Sequence, residues 1–366
     1  MPYATEPTFR HGQLDRSADT AIVLCNLGTP EAPNPAAVRA YLAQFLADPR
    51  VVEIPRLAWW LILHGVILRT RPAKSAAKYA SVWMPEGSPL KVWTEKQTTL
   101  LRGYLGERGH RVSVQYAMRY GTPSIGSVLD RLKADGVHRI LVLPMYPQYS
   151  ATTTASVFDS IYTWARGIRH IPEFRFVNRF HDHPGYISAV AKRIFGHWAQ
   201  NGRPDKLVLS FHGLPQRNLL LGDPYHCECL KTARLIAQRI GIASDDVVVT
   251  FQSRFGKARW LQPYTEPTLI KLAQTGVKRV DVLCPGFVAD CLETLEEIAM
   301  EARNAFIGAG GESFQYIACL NDLHEWISAL SDIIQDNLLG WETRSSPDLG
   351  ESTAQRERAL ARGAED

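Results

Sequence analysis

The chain has 366 residues, 45% hydrophobic and 21% charged, with a formal net charge of +4. Such a composition belongs to a globular chain with a substantial core, and the length predicts two domains. The small positive charge and the lack of any Lys/Arg-dense run argue against a nucleic-acid partner, and six cysteines over so long a chain make no disulfide framework and predict a reducing, cytoplasmic compartment.

Residues 1–18 form a polar extension without the apolar core of a secretory signal. The run AIVLCNLGTP (21–30) reads as a buried strand ending in a turn. Val38, Leu42, Phe45 and Leu46 recur at helical spacing over 35–47. The stretch LAWWLILHGVIL (57–68) is too short to span a bilayer. Its adjacent Trp59 and Trp60 point to different helix faces, and Arg69, Arg71, Lys74 and Lys78 follow. It reads as a core helix or as a segment lying at a membrane surface.

A helix is predicted over 124–134, and GVHRILVLPMYPQYSATTT (136–154) reads as strand, turn and helix. The run DKLVLSFHGLPQR (205–217) presents His212 where a strand ends, in a turn shaped by Gly213 and Pro215. YHCECLK places Cys227 and Cys229 one residue apart beside His226, an incomplete metal pattern that otherwise reads as a surface turn before a helix beginning near Leu230. Another helix is predicted over 265–275. In GFVADCLETLEEIAMEA (286–302), a helix starting near Asp290 puts Asp290, Glu293, Glu297 and Glu301 on one face, beyond a strand end. An amphipathic helix covers 320–338, and 341–366 reads as a disordered tail.

Two of these segments occur twice, in the same order. Residues 136–154 match 276–294, and 21–30 match 206–215, with Leu27 standing where His212 stands. A duplicated domain is the economical explanation. Continuous apolar strands alternating with helices predict α/β architecture: two similar Rossmann-like domains, each a parallel sheet flanked by helices. The expected boundaries are 19–175, with segment 51–80 at its lip, 176–319, and a helix over 320–340 packing back on the first domain.

Ligands bind beyond the carboxyl ends of such strands, so His212, Tyr146 and the 285–293 turn should face one cleft between the halves. An imidazole opposite a line of carboxylates suits a divalent cation or proton uptake. Tyr120, Tyr146, Tyr149, Phe211, Trp260 and Phe287 suggest a flat apolar slot, with Arg119 and Lys91 available to a ligand's carboxylates. No G-x-G-x-x-G follows a strand, Gly256-Lys257 is followed by Ala258, and no G-x-S-x-G elbow occurs. These absences argue against a dinucleotide, a phosphate-binding loop and a hydrolase nucleophile.

From about Ala21 to Trp341 the chain resembles the ferrochelatase family, proteobacterial type, in NLGTP, FLADPRVVEIP, EGSPLKVWT, YAMRYGTPSI, LPMYPQYSATTTASVFD, LSFHGLPQR, TFQSRFGKARWLQPYT and CPGFVADCLETLEEI. The resemblance implies insertion of Fe2+ into protoporphyrin IX across a cleft between two Rossmann-like domains, the chelatase fold. It implies His212 and Glu293 as the iron-binding and proton-handling pair, and Arg119, Tyr120, Tyr146 and Phe287 as pocket-lining residues; with Leu27, Phe211 and Trp260 from the repeat and the apolar slot, these are the expected substrate contacts. Asp290, Glu297 and His183 fall on a candidate metal or proton path. Ala151 stands where cluster-bearing animal members carry cysteine, so no [2Fe-2S] cluster and no cofactor beyond substrate Fe2+ is expected. The Trp59–Lys78 region corresponds to a lip that touches the membrane in some members, so peripheral contact with the inner membrane is a further expectation. A chelatase for cobalt or for another ring such as coproporphyrin, and a non-catalytic haem carrier, remain as alternatives.

Overall fold

The structure, a computed structural model, describes residues 19–344 apart from Phe255 and Lys257, together with 354, 357, 358 and 360–363. The extension 1–18 and most of the tail lie outside these residues. The tail expected from 341 is corrected at its start. Trp341 and Thr343 are buried, and the Thr343 carbonyl accepts the Arg111 N–H at 2.7 Å.

Strands β1 (Thr20–Gly28), β2 (Ser113–Tyr120), β3 (Arg139–Pro144) and β4 (Glu173–Phe176) form one parallel sheet in the order β2-β1-β3-β4. β5 (Lys206–His212), β6 (Val247–Gln252), β7 (Arg279–Leu283) and β8 (Ser313–Ile317) form a second in the order β6-β5-β7-β8. The topologies are identical, as the repeated segments predict. Helices on both faces of each sheet explain why the strands are apolar throughout instead of alternating.

The equivalence extends to single residues. A Cβ on Gly28 would lie 1.7 Å from the Tyr120 carbonyl oxygen, and one on Gly213 would lie 2.6 Å from that of Gln252. Each glycine lets the central strand's end pass against its neighbour's backbone. The preceding residues, Leu27 and His212, are thereby set at matching places.

The expected helices form as α1 (Pro35–Ala47), capped by the Asn34 side chain, α5 (Ile125–Ala134), capped by Ser124, α10 (Thr265–Gln274) and α12 (His324–Leu338). The lip comprises α2 (Arg56–Ile62), a π turn over 63–67 and α3 (Leu68–Val82). Its two tryptophans divide as their spacing requires. Trp59 is 7% exposed and donates to the Leu46 carbonyl at 2.6 Å, whereas Trp60 is 56% exposed.

The halves interlock. Helix α7 (Pro184–Asn201) follows the first sheet but packs on the second, where Trp198 Nε1 donates to Asp281 Oδ2 in β7 at 2.9 Å. Helix α12 follows the second sheet but packs on α4 (Pro89–Glu107) of the first half, with Arg108 on Asp332 at 2.6 Å. Gln97 on α4 donates to the carbonyls of Val288 and Asn321 at 2.9 and 2.8 Å. On α9 (Tyr225–Ile240), Glu228 accepts the Tyr149 N–H at 2.7 Å, and Asp223 just before it accepts the Ala151 N–H at 2.8 Å. The cleft between the halves is therefore fixed by reciprocal bonds from both sides.

Helix α9 begins at Tyr225, so the surface turn expected over 226–229 is helix instead. Cys227 is exposed and Cys229 fully buried, because residues two apart on an α-helix face about 200° from each other.

Candidate active site

A cleft opens beyond the carboxyl ends of β1, β3 and β7, where strand order reverses in each sheet. It encloses about 510 Å³ of space, counting the part open to solvent. Leu27 at the end of β1 and Thr29 just after it line the cleft, with Tyr146 after β3, and Phe287 and Glu293 after β7. Tyr79 of α3 closes it from the lip, with Tyr41 of α1 beside it.

His212 ends β5, beside this space. Its Nδ1 lies 2.7 Å from the Gly213 carbonyl, and its ring centroid is 6.4 Å from that of Phe287. A carbonyl can only accept, so Nδ1 carries a hydrogen, and in the neutral ring the free lone pair is the one on Nε2. The Tyr225 hydroxyl donates to the His212 carbonyl at 2.9 Å and holds the strand end. Trp260 packs behind: its Cε3 lies 3.2 Å from a Cβ built on Gly213, and it bridges to Pro215.

The acidic helix differs from the sequence reading. It is a π-helix over Glu293–Ala302, starting three residues after Asp290. Glu293 lines the cleft. Glu297 accepts the Ser253 N–H at 2.6 Å and its hydroxyl at 2.5 Å. Burial raises the Glu297 carboxyl above its ordinary range, against the Ser253 bonds and the nearby His212, while Glu293 adds to the rise. Glu301 leaves the predicted line and turns outward with Glu296 to Lys78, at 2.9 Å from each.

Several predicted residues stand elsewhere. The Asp290 carboxylate is buried among donors: Asn321 Nδ2 at 2.7 Å, the Tyr316 hydroxyl at 2.5 Å and the Cys319 N–H at 3.1 Å. His183 accepts the Gly185 N–H at 3.2 Å as the cap of α7. Phe211, one residue before His212, points to the opposite face of β5 and is wholly buried against Phe251. Tyr120 is also buried, and its hydroxyl donates to Asp48 at 2.8 Å. Arg119 is paired inside the protein, with Asp48 Oδ2 at 2.6 Å and the Ser156 hydroxyl at 2.7 Å.

Tyr41, Tyr79 and Cys291 line the cleft without a signal that separates them from core positions. Burial raises the Tyr41 hydroxyl well above the phenol range, with Tyr79 and Glu293 adding to it. Burial and then Glu293 do the same to Tyr79. Both phenols stay protonated near neutrality and serve as donors, not bases. Among the described residues no three His, Cys, Asp or Glu side chains group as metal ligands. What the arrangement offers is an imidazole lone pair, a cleft carboxylate, a second carboxylate of raised pKa behind it, and aromatic walls.

A family model described as ferrochelatase matches residues 19–338. The chain is 65% identical to a ferrochelatase of Polaromonas sp. over 365 residues, and 64% identical to one of Methylibium petroleiphilum over 365 residues, covering 100% of each chain in both comparisons. Among solved structures, SirB from Bacillus subtilis with Fe3+ is similar at a TM-score of 0.50, with 12% identity, over 87% of this chain and 96% of that one. At that identity the likeness shows the fold alone.

Proposed function

The chain belongs to the ferrochelatase family, and from that premise we propose how its cleft carries out iron insertion: protoporphyrin IX and Fe2+ enter, protohaem and two protons leave, the terminal step of haem synthesis. The ring must lose two pyrrole protons and accept a cation stripped of water. A planar macrocycle points its lone pairs into its own plane, so the ring must pucker. Aromatic walls that fit the puckered ring better than the flat one lower the barrier by differential binding. Tyr146 and Phe287 are placed for this, with Leu27 beside them.

In this reading His212 Nε2 accepts the pyrrole protons, and Glu293 carries Fe2+ to the ring. Glu297 passes protons or cations behind it. One observation carries the assignment. An imidazole whose Nδ1 is committed to the Gly213 carbonyl presents Nε2 beside the aromatic wall, and Glu293 lines the same cleft. Iron transfer needs protein ligands that let go, which favours few ligands over a closed cage.

We infer no resident cofactor. Cys227 and Cys229 face opposite sides of α9, which does not suit a shared iron–sulfur cluster. Among the described residues no helix is long and apolar enough to cross a membrane. The exposed face of α2, followed by Arg69 and Lys74, suits peripheral contact with an anionic lipid surface.

The test is an anaerobic assay with Fe2+ and either protoporphyrin IX or coproporphyrin. Protoporphyrin should be preferred. His212→Ala and Glu293→Gln should each lower kcat by about 10²-fold or more, the scale of a lost acid–base group, while porphyrin still binds. Near-normal turnover in both variants would overturn the assignment.

A further inference from the structure

The π-helix is gripped at three points. Gln252 donates to the carbonyl of Glu293 at 2.9 Å, Ser253 donates twice to Glu297, and on the outer side Lys78 of α3 reaches both Glu296 and Glu301. The third grip depends on how the helix is wound. In a π-helix, bonded i→i+5, residues five apart come round close to one face. In an α-helix they stand about 140° apart, and one ammonium group does not reach both. Lys78 thus fits its two carboxylates only while this segment keeps the wider winding.

Lys78 also belongs to the lip. The next residue, Tyr79, lines the cleft and packs with Val38, Trp83 and Leu292, the residue just before the π-helix. Glu296 has a side chain only 12% exposed, so losing Lys78 would leave a carboxylate largely withdrawn from water without its cation.

We propose that Lys78 is a positioning residue: a latch that couples docking of the lip to the π winding, and through that winding sets where Glu293 and Glu297 stand in the cleft. The proposal deepens the assigned reaction and, for its kinetic arm, rests on it. When the lip lifts, the ammonium leaves, the segment loses the contact that selects the wider winding, and the cleft glutamates shift together. Lip opening and loss of the metal-handling geometry are then one event.

The experiment compares wild type, Lys78→Met and Lys78→Arg in the full chain. Without substrate, amide hydrogen exchange across 293–302 should be about tenfold faster in Lys78→Met, with β7 unchanged. With substrates, the KM for Fe2+ should rise about fivefold while the KM for protoporphyrin stays within about twofold. Lys78→Arg should restore both, and about 1 M salt should move wild type toward Lys78→Met, because much of the ammonium is exposed. Wild-type exchange across 293–302 in Lys78→Met, or no restoration by arginine, overturns the latch. A wild type that metallates no porphyrin overturns the assigned reaction instead, and the substrate-free exchange result still decides the latch.

Discussion

Gln252 donates its side-chain N–H to the carbonyl of Glu293 at 2.9 Å, and in the second sheet it is the register partner of His212. One buried amide therefore spans from the strand end that presents the imidazole to the first turn of the acidic helix. Its Oε1 accepts from Ser210 at 2.8 Å, so both ends are used. Gln252→Leu would leave the Ser210 hydroxyl and the Glu293 carbonyl without these partners, at about 1–3 kcal/mol each. We expect a loss of about 2–6 kcal/mol in urea unfolding by that sum, and a fall in kcat of about 10²-fold from misplacement. Unchanged turnover in a folded Gln252→Leu protein would show that the amide does not set the spacing.

The repeat made the architecture legible, because an apolar strand buried on both faces and a strand-end glycine leave the same mark in each half. Leu27 and His212 could be paired from sequence for that reason. The acidic helix was less legible. Asp290, Glu293, Glu297 and Glu301 fit an α-helical stripe, but the segment starts at Glu293 and winds wider, which sends Glu301 to Lys78 and leaves Asp290 among Asn321, Tyr316 and Cys319. Neither outcome is written in local periodicity, since both depend on partners more than twenty residues away. The burial of Phe211 and Tyr120 was illegible for a simpler reason: proximity to a strand end does not tell which face an aromatic ring takes.

Asp48 gathers two of the side chains that the sequence assigned to substrate, Arg119 and Tyr120. Arg119, Tyr120 and Ser156 donate to its Oδ2, and the Arg50 N–H donates to Oδ1 at 2.7 Å. Burial alone would raise this carboxyl, but the bonds from Ser156, Arg50 and Tyr120, with the Arg119 charge, lower it below its ordinary 3.8. The unfolded chain then holds the proton more tightly than the folded one. The stabilisation is present above 3.8 and is lost as pH falls through the depressed folded value. Asp48→Asn should cost about 3 kcal/mol at neutral pH, and the gap from wild type should narrow below pH ~4. A gap independent of pH in denaturant titrations would refute the charge-based account.

The Tyr146 hydroxyl is buried at the cleft wall and has no hydrogen-bond partner among the described residues. Burial raises its pKa, so it remains a neutral donor. Removing an unpaired buried hydroxyl should not destabilise the chain, and Tyr146→Phe should match or exceed wild-type stability by up to about 2 kcal/mol. If the hydroxyl meets polar atoms of the bound ring, porphyrin affinity should fall by about fivefold, the scale of one hydrogen bond. Thermal unfolding and porphyrin fluorescence titration read the two effects separately. A lower Tm in Tyr146→Phe would mean that the hydroxyl is paired in the folded protein.

The outer face of the lip is apolar where a folded chain usually is not. On α2, Leu57, Trp60 and Leu61 are 77%, 56% and 59% exposed, and across the rim Leu220 and Leu221 are 77% and 70% exposed. Arg217, two residues into α8 (Gln216–Leu220), pairs with Glu53 at 3.0 Å and draws the two groups together. Such a patch beside the exposed Arg69 and Lys74 would insert shallowly into a bilayer surface while the cations meet anionic headgroups. The double substitution Trp60→Ser, Leu61→Ser removes two half-inserted side chains, about 2 kcal/mol of apolar transfer. Co-sedimentation with vesicles rich in an anionic lipid should therefore weaken more than tenfold, and raised salt should weaken the wild type. Because neither side chain lines the cleft, kcat with lipid-free porphyrin should stay within about twofold of wild type. Vesicle binding that ignores both the substitution and the salt would place any membrane contact on a different face of the molecule.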